Sequence, residues 1–183
     1  GIMVLAKDEN SLSHLSKQFF DRTTDRRYNA VVWGDLPDGE GKIEGYLGRS
    51  LRDRKIMDVF DSEEQGKFAL TRYKVLKRFG YVTLVECKLE TGRTHQIRAH
   101  FKSIGHPLFN DMTYGGDRIV KGTTFSKYKQ FITNCFDVCP RQALHAKMLE
   151  VTHPVTGERI KIESELPDDM QALIKKFESY VTG

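Results

Sequence analysis

The stretch ALTRYKVLKRFGYVTLVECKL, residues 69 to 89, limits what this chain can fold into more than any other. Two runs rich in β-branched and aromatic residues are separated by Gly80 alone. A lone glycine there supplies the positive φ of a tight turn, so the spacing predicts two long antiparallel strands. An isolated hairpin is marginal in water, and further strands must extend it and cover a face.

Candidates for those strands lie on both sides. RYNAVVWG (27–34) is β-rich, DLPDGEG (35–41) is turn chemistry, and KIEGYL (42–47) alternates and can pair back as a hairpin. The charged, aperiodic stretch 48–67 is predicted to be an exposed loop with one short strand near Met57–Phe60. ALHAKMLEV (143–151), the turn HPVTGE and RIKIES (159–164) predict another hairpin, and IMVLA (2–6) reads as a buried strand. Helices punctuate this pattern. Asn10 or Ser11 can cap one that carries Leu12, Leu15 and Phe19, and residues 125–136 place Phe125, Tyr128, Phe131, Ile132 and Cys135 on one stripe. Pro167, with Asp168 and Asp169 in the first turn, opens a third helix through Met170, Leu173, Ile174 and Phe177. The expected class is α+β, a mainly antiparallel mixed sheet with peripheral helices, in one domain over residues 1–183.

Composition excludes some functions and leaves others open. At 39% hydrophobic and 30% charged the chain is ordinary for a globular domain, and its longest apolar runs are too short to cross a membrane. No charged-then-apolar leader opens it. Cys87, Cys135 and Cys139 lack zinc-type spacing, which points to reduced thiols in the cytoplasm. Lys and Arg outnumber Asp and Glu by 29 to 25, a mild bias towards polyanions, and the clusters Arg49, Arg52, Arg54, Lys55 and Arg93, Arg98, Lys102 matter more than that total.

One of these clusters sits in LETGRTHQIRAH (89–100), where a strand hands over to a helix. On a helix from Thr94 at about 100° per residue, Ile97, Phe101 and Ile104 form a core-facing stripe, while His95, Arg98 and Lys102 form a separate cationic face. The free N–H groups of a helix start favour phosphate or carboxylate, and Gly92 would let backbone approach a ligand closely. A solvated basic face has the same spacing, and Gly105-His106-Pro107 is also a sufficient helix stop.

Longer motifs add to these spacings. LETGRTHQIRAHFKSIGHPLFNDMTYGG (89–116) resembles the C-terminal motif of the RluA-type pseudouridine synthases, which isomerise uridine in ribosomal or transfer RNA. RRYNAVVWG (26–34) and QALHAKMLEVTHPVTGE (142–158) resemble two further motifs of that family, and all three occur in family order. The resemblance implies cleavage of the C1′–N1 glycosidic bond, rotation of the base and rejoining through C5, with no metal or organic cofactor. It implies Tyr28 as the aromatic platform for the flipped base, Arg98 as the arginine that orients a catalytic carboxylate, and Leu144 as a residue packed against the active site. Lys102, Arg49 and Arg52 are expected at the RNA, and Arg93, His95 and Gln96 either contact phosphates or brace the loop. His145 reads as structural.

The family's catalytic aspartate lies in His-Arg-Leu-Asp-x-x-Thr-Ser-Gly, immediately before a strand like IMVLAK, whereas this chain begins GIMVLAKDEN. No other aspartate has an Arg-Leu-Asp context, and Asp111 and Asp117 belong to a downstream loop. The expectation is therefore an incomplete catalytic domain, inactive alone, whose longer parent is the enzyme. The alternative is an RNA-binding protein that keeps the groove without the chemistry. Missing strands would leave a sheet edge open, so self-association through residues 2–6 or a neighbouring strand is expected.

Overall fold

The computed structural model describes residues 1–182. In chain order the elements are α1 (Glu9–Phe20), β1 (Asp25–Trp33), β2 (Glu40–Arg49), β3 (Met57–Phe60), β4 (Lys67–Arg78), β5 (Val82–Leu89), α2 (Gln96–Ser103), α3 (Ser126–Val138), β6 (Leu144–Thr152), β7 (Arg159–Glu163) and α4 (Asp168–Thr182). The class is α+β, and the strands form one sheet in the order β3-β2-β4-β5-β1-β6-β7. Every strand pair among the described residues is antiparallel, so the sheet is not mixed. The hairpin read around Gly80 is β4 and β5, and Gly80 takes φ 78° as the turn requires.

β1 lies between β5 and β6, and its side chains alternate between two buried faces. Val31 and Trp33 join a core with Tyr128, Ile132, Leu173 and Phe177 from α3 and α4. Ala30 and Val32 join a second core with Val85, Cys87, Ile97 and Phe101, which packs α2 against the other face. Burial of both faces explains why this strand reads as a continuous apolar run rather than an alternating one.

Several local expectations are corrected. Residues 2–6 form no strand: Ile2, Val4 and Ala6 pack beside Leu15 and Leu149, Met3 and Leu5 point outward, and Ile2 N donates to Ala146 O at 2.9 Å. The cap of α1 is Asp8, whose carboxylate accepts from Ser11 N at 2.8 Å, rather than Asn10 or Ser11. Phe125 precedes α3 as its N-cap and is exposed instead of lying on the core stripe. Ile104 is the C-cap of α2 and is likewise exposed, because the helix ends before it completes the stripe with Ile97 and Phe101. Among the described residues no helix is long and apolar enough to cross a membrane.

Candidate active site

Tyr28 stands at an irregularity in β1. Arg27 faces Met148 but Tyr28 faces Ala146, which leaves Lys147 as an extra residue in β6. A bulge of this kind re-aims side chains and is common beside functional sites. Tyr28 is half-buried; burial raises its phenol above the ordinary range, and the nearby Arg26 partly offsets this. At neutral pH the ring is therefore a protonated, amphipathic surface.

The connection from β5 to α2 is held by a buried amide. Gln96 Oε1 accepts from Thr91 Oγ1 at 2.8 Å and from Arg93 N at 3.0 Å. Gln96 Nε2 donates to Leu70 O and Thr71 Oγ1, each at 3.0 Å. Every polar atom of this 2%-exposed side chain is committed inside the fold. Of the two readings open for Gln96, bracing the loop fits this placement, and contact with RNA does not.

His95 is not on the helix at all. It precedes α2 in the left-handed conformation with φ 54°, and its Nδ1 lies 3.1 Å from Tyr114 Oη. Burial lowers its pKa first, and Arg98 lowers it further. His95 is thus neutral at physiological pH, which corrects its place on a cationic face. Gly92 has a different reason from the one expected: a Cβ there would collide with the Arg26 guanidinium, so the space next to it belongs to this chain's own arginine.

Arg98 points from α2 into a two-pronged bond. Its Nε and Nη2 donate to Asp111 Oδ2 and Oδ1, both at 2.7 Å. The Arg98 side chain is 12% exposed and that of Asp111 is 0% exposed. Asp111 also accepts from Thr113 N and Tyr114 N, so its charge is well satisfied, and the Asp111 bond in turn raises the Arg98 pKa. The guanidinium lies 4.8 Å over the Tyr114 ring. Both flat contacts fix its orientation, and no hydrogen bond uses its Nη1 among the described residues.

These parts meet in a cleft of about 350 Å³ lined by Tyr28, Arg93, Arg98, Gln142 and Leu144 together with Leu89, His95, Gln96 and Ile97. The structure so brings Tyr28, Arg98 and Leu144 together with Arg93, whose Nε donates to Phe68 O at 3.2 Å. Lys102 opens elsewhere, onto a cleft with Arg118 and Gly115. Arg49 approaches closely enough to act on the charge of His95 but does not line the main cleft, and Arg52 is an exposed loop residue. No lining residue carries a carboxylate, and among the described residues no group of three or more His, Cys, Asp or Glu converges as metal ligands. The reading of the residues alone missed Asp111, Gln142, Tyr114 and Arg26. All four lie inside the three quoted motifs, where nothing in one dimension marks them as parts of the site.

A family model described as RNA pseudouridylate synthase matches residues 1–103. An uncharacterized RNA pseudouridine synthase of Chlorobaculum parvum is 39% identical over 184 residues, covering 100% of this chain and 56% of that protein. Ribosomal large subunit pseudouridine synthase D of Nitrosomonas europaea is 42% identical over 175 residues, covering 96% of this chain and 47% of the relative. The chain spans about half the length of the curated relatives it matches. Among solved structures, human RNA pseudouridylate synthase domain containing 4 aligns with a TM-score of 0.72 at 20% identity, over 97% of this chain and 71% of that one.

Proposed function

Because this chain belongs to the RNA pseudouridylate synthase family, we propose that it supplies the base-binding, arginine-bearing part of an enzyme that isomerises uridine to pseudouridine in RNA. The observation that supports this most is the single cleft lined by Tyr28, Arg98 and Leu144. A target base flipped out of its stack loses a few kcal/mol of stacking and pairing, about what an aromatic platform returns. Tyr28 is that platform; for its oxygen to take the C5 proton the phenolate would be needed, which burial disfavours. Leu144 walls the pocket, and Arg93 faces the backbone of the bound nucleotide. Lys102, Arg49 and Arg52 contact RNA outside the uridine pocket.

The reaction also needs a carboxylate to attack C1′ or take a proton, and the cleft lining has none. Asp111 is fully buried behind Arg98 and cannot serve. The carboxylate therefore comes from sequence outside residues 1–183, and the unused Nη1 of Arg98 is positioned to hold it ionised. Residues 1–183 alone are inactive on this reading. The same empty lining favours a second reading, an RNA-binding protein without the chemistry. The relatives named for the ribosomal large subunit favour ribosomal over transfer RNA, and the cell compartment that fits three buried free thiols is the cytoplasm.

Two experiments test this. Reading the gene upstream of Gly1 separates the alternatives: an in-frame Arg-Leu-Asp supports the enzyme, and a start codon there supports the binding protein. In the chain extended to include that motif, Arg98→Lys keeps a charge beside Asp111 but loses the fork. Pseudouridine formation, followed by mass spectrometry, should fall about 100-fold or more while RNA affinity changes by less than about threefold. Equal losses in both would make Arg98 a phosphate contact instead.

A further inference from the structure

Arg26 is the odd member among the half-buried arginines. Arg27 is paired with Glu86 and Asp25, Arg98 with Asp111, and Arg141 with Asp169, while Arg93 gives its Nε to a carbonyl. Among the described residues the Arg26 side chain has no hydrogen-bond partner and no carboxylate, and its Nε is shielded from solvent as well. A desolvated guanidinium without an anion is unfavourable, and burial accordingly pulls the Arg26 pKa down. It nevertheless stays charged at any physiological pH.

The surroundings hold this charge in place. The guanidinium lies 5.5 Å over the Phe19 ring of α1, and the missing Cβ of Gly92 makes room for it on the other side. Arg26 precedes Tyr28 by two positions on β1, so the two side chains share a face of the sheet roughly 6.6 Å apart along the strand. That span is comparable to the reach from a nucleobase to its own phosphate. A cleft of about 310 Å³ containing Arg26 adjoins the main one, and Tyr28 lines both.

We propose that Arg26 grips the RNA backbone beside the uridine held at Tyr28, its guanidinium pairing with one phosphodiester oxyanion. The inference rests on the RNA reading above and adds to it the residue that anchors the flipped nucleotide's phosphate. Arginine suits the task, because its planar fork matches the oxygens of a phosphate. Gly92, lacking a Cβ, leaves room for the guanidinium where it now lies.

Fluorescence anisotropy on a short oligouridylate tests this, with one probe of ordinary phosphodiesters and another of neutral methylphosphonates. Arg26→Gln should weaken phosphodiester binding about tenfold or more and lower the salt slope by about 0.7–1, while leaving methylphosphonate binding unchanged. Arg26→Lys should keep the salt slope, and circular dichroism melting shows whether each variant is folded. If Arg26→Gln unfolds the chain, Arg26→Met, which keeps a linear side chain against Phe19 without the charge, decides instead: a salt slope lower by about 0.7–1 supports the contact, and the native slope overturns it. A folded Arg26→Gln that binds the phosphodiester with native affinity and slope sinks the proposal but leaves the RNA reading intact. Failure of the native chain to bind either probe overturns both.

Discussion

His100 is enclosed in the core beneath α2, with Nδ1 2.9 Å from Thr71 Oγ1 and Nε2 without a partner. Burial lowers its pKa from 6.5 to about 4. Because the folded value is the lower one, the unfolded chain takes the proton first as pH falls. Stability is fully present above 6.5 and is lost as pH falls from there towards about 4, by about 1.4 kcal/mol per pH unit in that window. His95 and His145 shift in the same direction for the same first cause, so the loss is steepest where their windows overlap. Urea midpoints measured between about pH 7 and about pH 5 should fall with acid, and His100→Gln should flatten the trend by about one proton. An unchanged slope in that variant would show that His100 is not the titrating group. The same residue scale explains what could be read in advance. Tyr28, Arg98 and Leu144 are carried by motifs whose order is visible in one dimension. Gln96 and His95 were open or misplaced, because a helical wheel begun at Thr94 assigns them faces on a helix that in fact starts at Gln96. Arg26 was invisible, since what marks it is the lack of a partner in three dimensions.

Elements made by neighbours in sequence were legible for a physical reason: a hairpin needs only its own turn and its own alternation. That holds for β4 and β5, for β6 and β7, and for the short β3 inside the charged stretch, but the hairpin expected of KIEGYL with the strand before it does not form: β2 pairs with β3 and β4, and β1 with β5 and β6. The run 2–6 failed because apolar composition does not say whether both sides are covered, and here every second residue faces outward. The loop from Leu108 to Gly116 was legible only as a motif. Its form depends on close contacts: Trp33 Nε1 donates to Gly116 O at 2.8 Å, Asn110 N donates to the same oxygen, and a Cβ on Gly116 would strike the Leu108 carbonyl. Gly116→Ala should therefore destabilise the protein by about 1–3 kcal/mol and disturb the Asp111 fork that orients Arg98. Thermal melting checks the first effect. In the extended enzyme, a fall in turnover below the unfolding temperature checks the second. Native stability in the variant would mean that the loop relaxes without strain.

At the scale of the whole molecule, the two sheet edges differ from the apolar N-terminal segment. β7 is a short edge whose Arg159, Lys161 and Glu163 put charges along it, which discourages edge pairing, and β3 has only four residues. Met3 and Leu5, by contrast, are 77% and 76% exposed, and Leu12 and Phe20 of α1 are exposed as well. Self-association is expected to run through this apolar surface rather than through β7. Light scattering at tens of micromolar should show dimers or larger species, and Met3→Ser with Leu5→Ser should return monomers. A native chain that is monomeric at that concentration refutes this. The order of the strands was not legible beyond the hairpins, because β1 enters the sheet by joining strands far ahead of it in sequence.

That placement of β1 sets the order in which the molecule comes into being. Tyr28 pairs with Cys87 on one side and Ala146 on the other, so both partners are synthesised long after it. Local hairpins close quickly, whereas a strand with distant partners waits for two large loops to close. During synthesis, the apolar run Ala30–Trp33 is thus held without its sheet until β5 has left the ribosome, and the first half of β1 lacks its second neighbour until β6 has. The cleft at Tyr28, built across the β1–β6 seam, is among the last features to form, and on the proposed function the nascent chain would not engage RNA there before its fold is nearly complete.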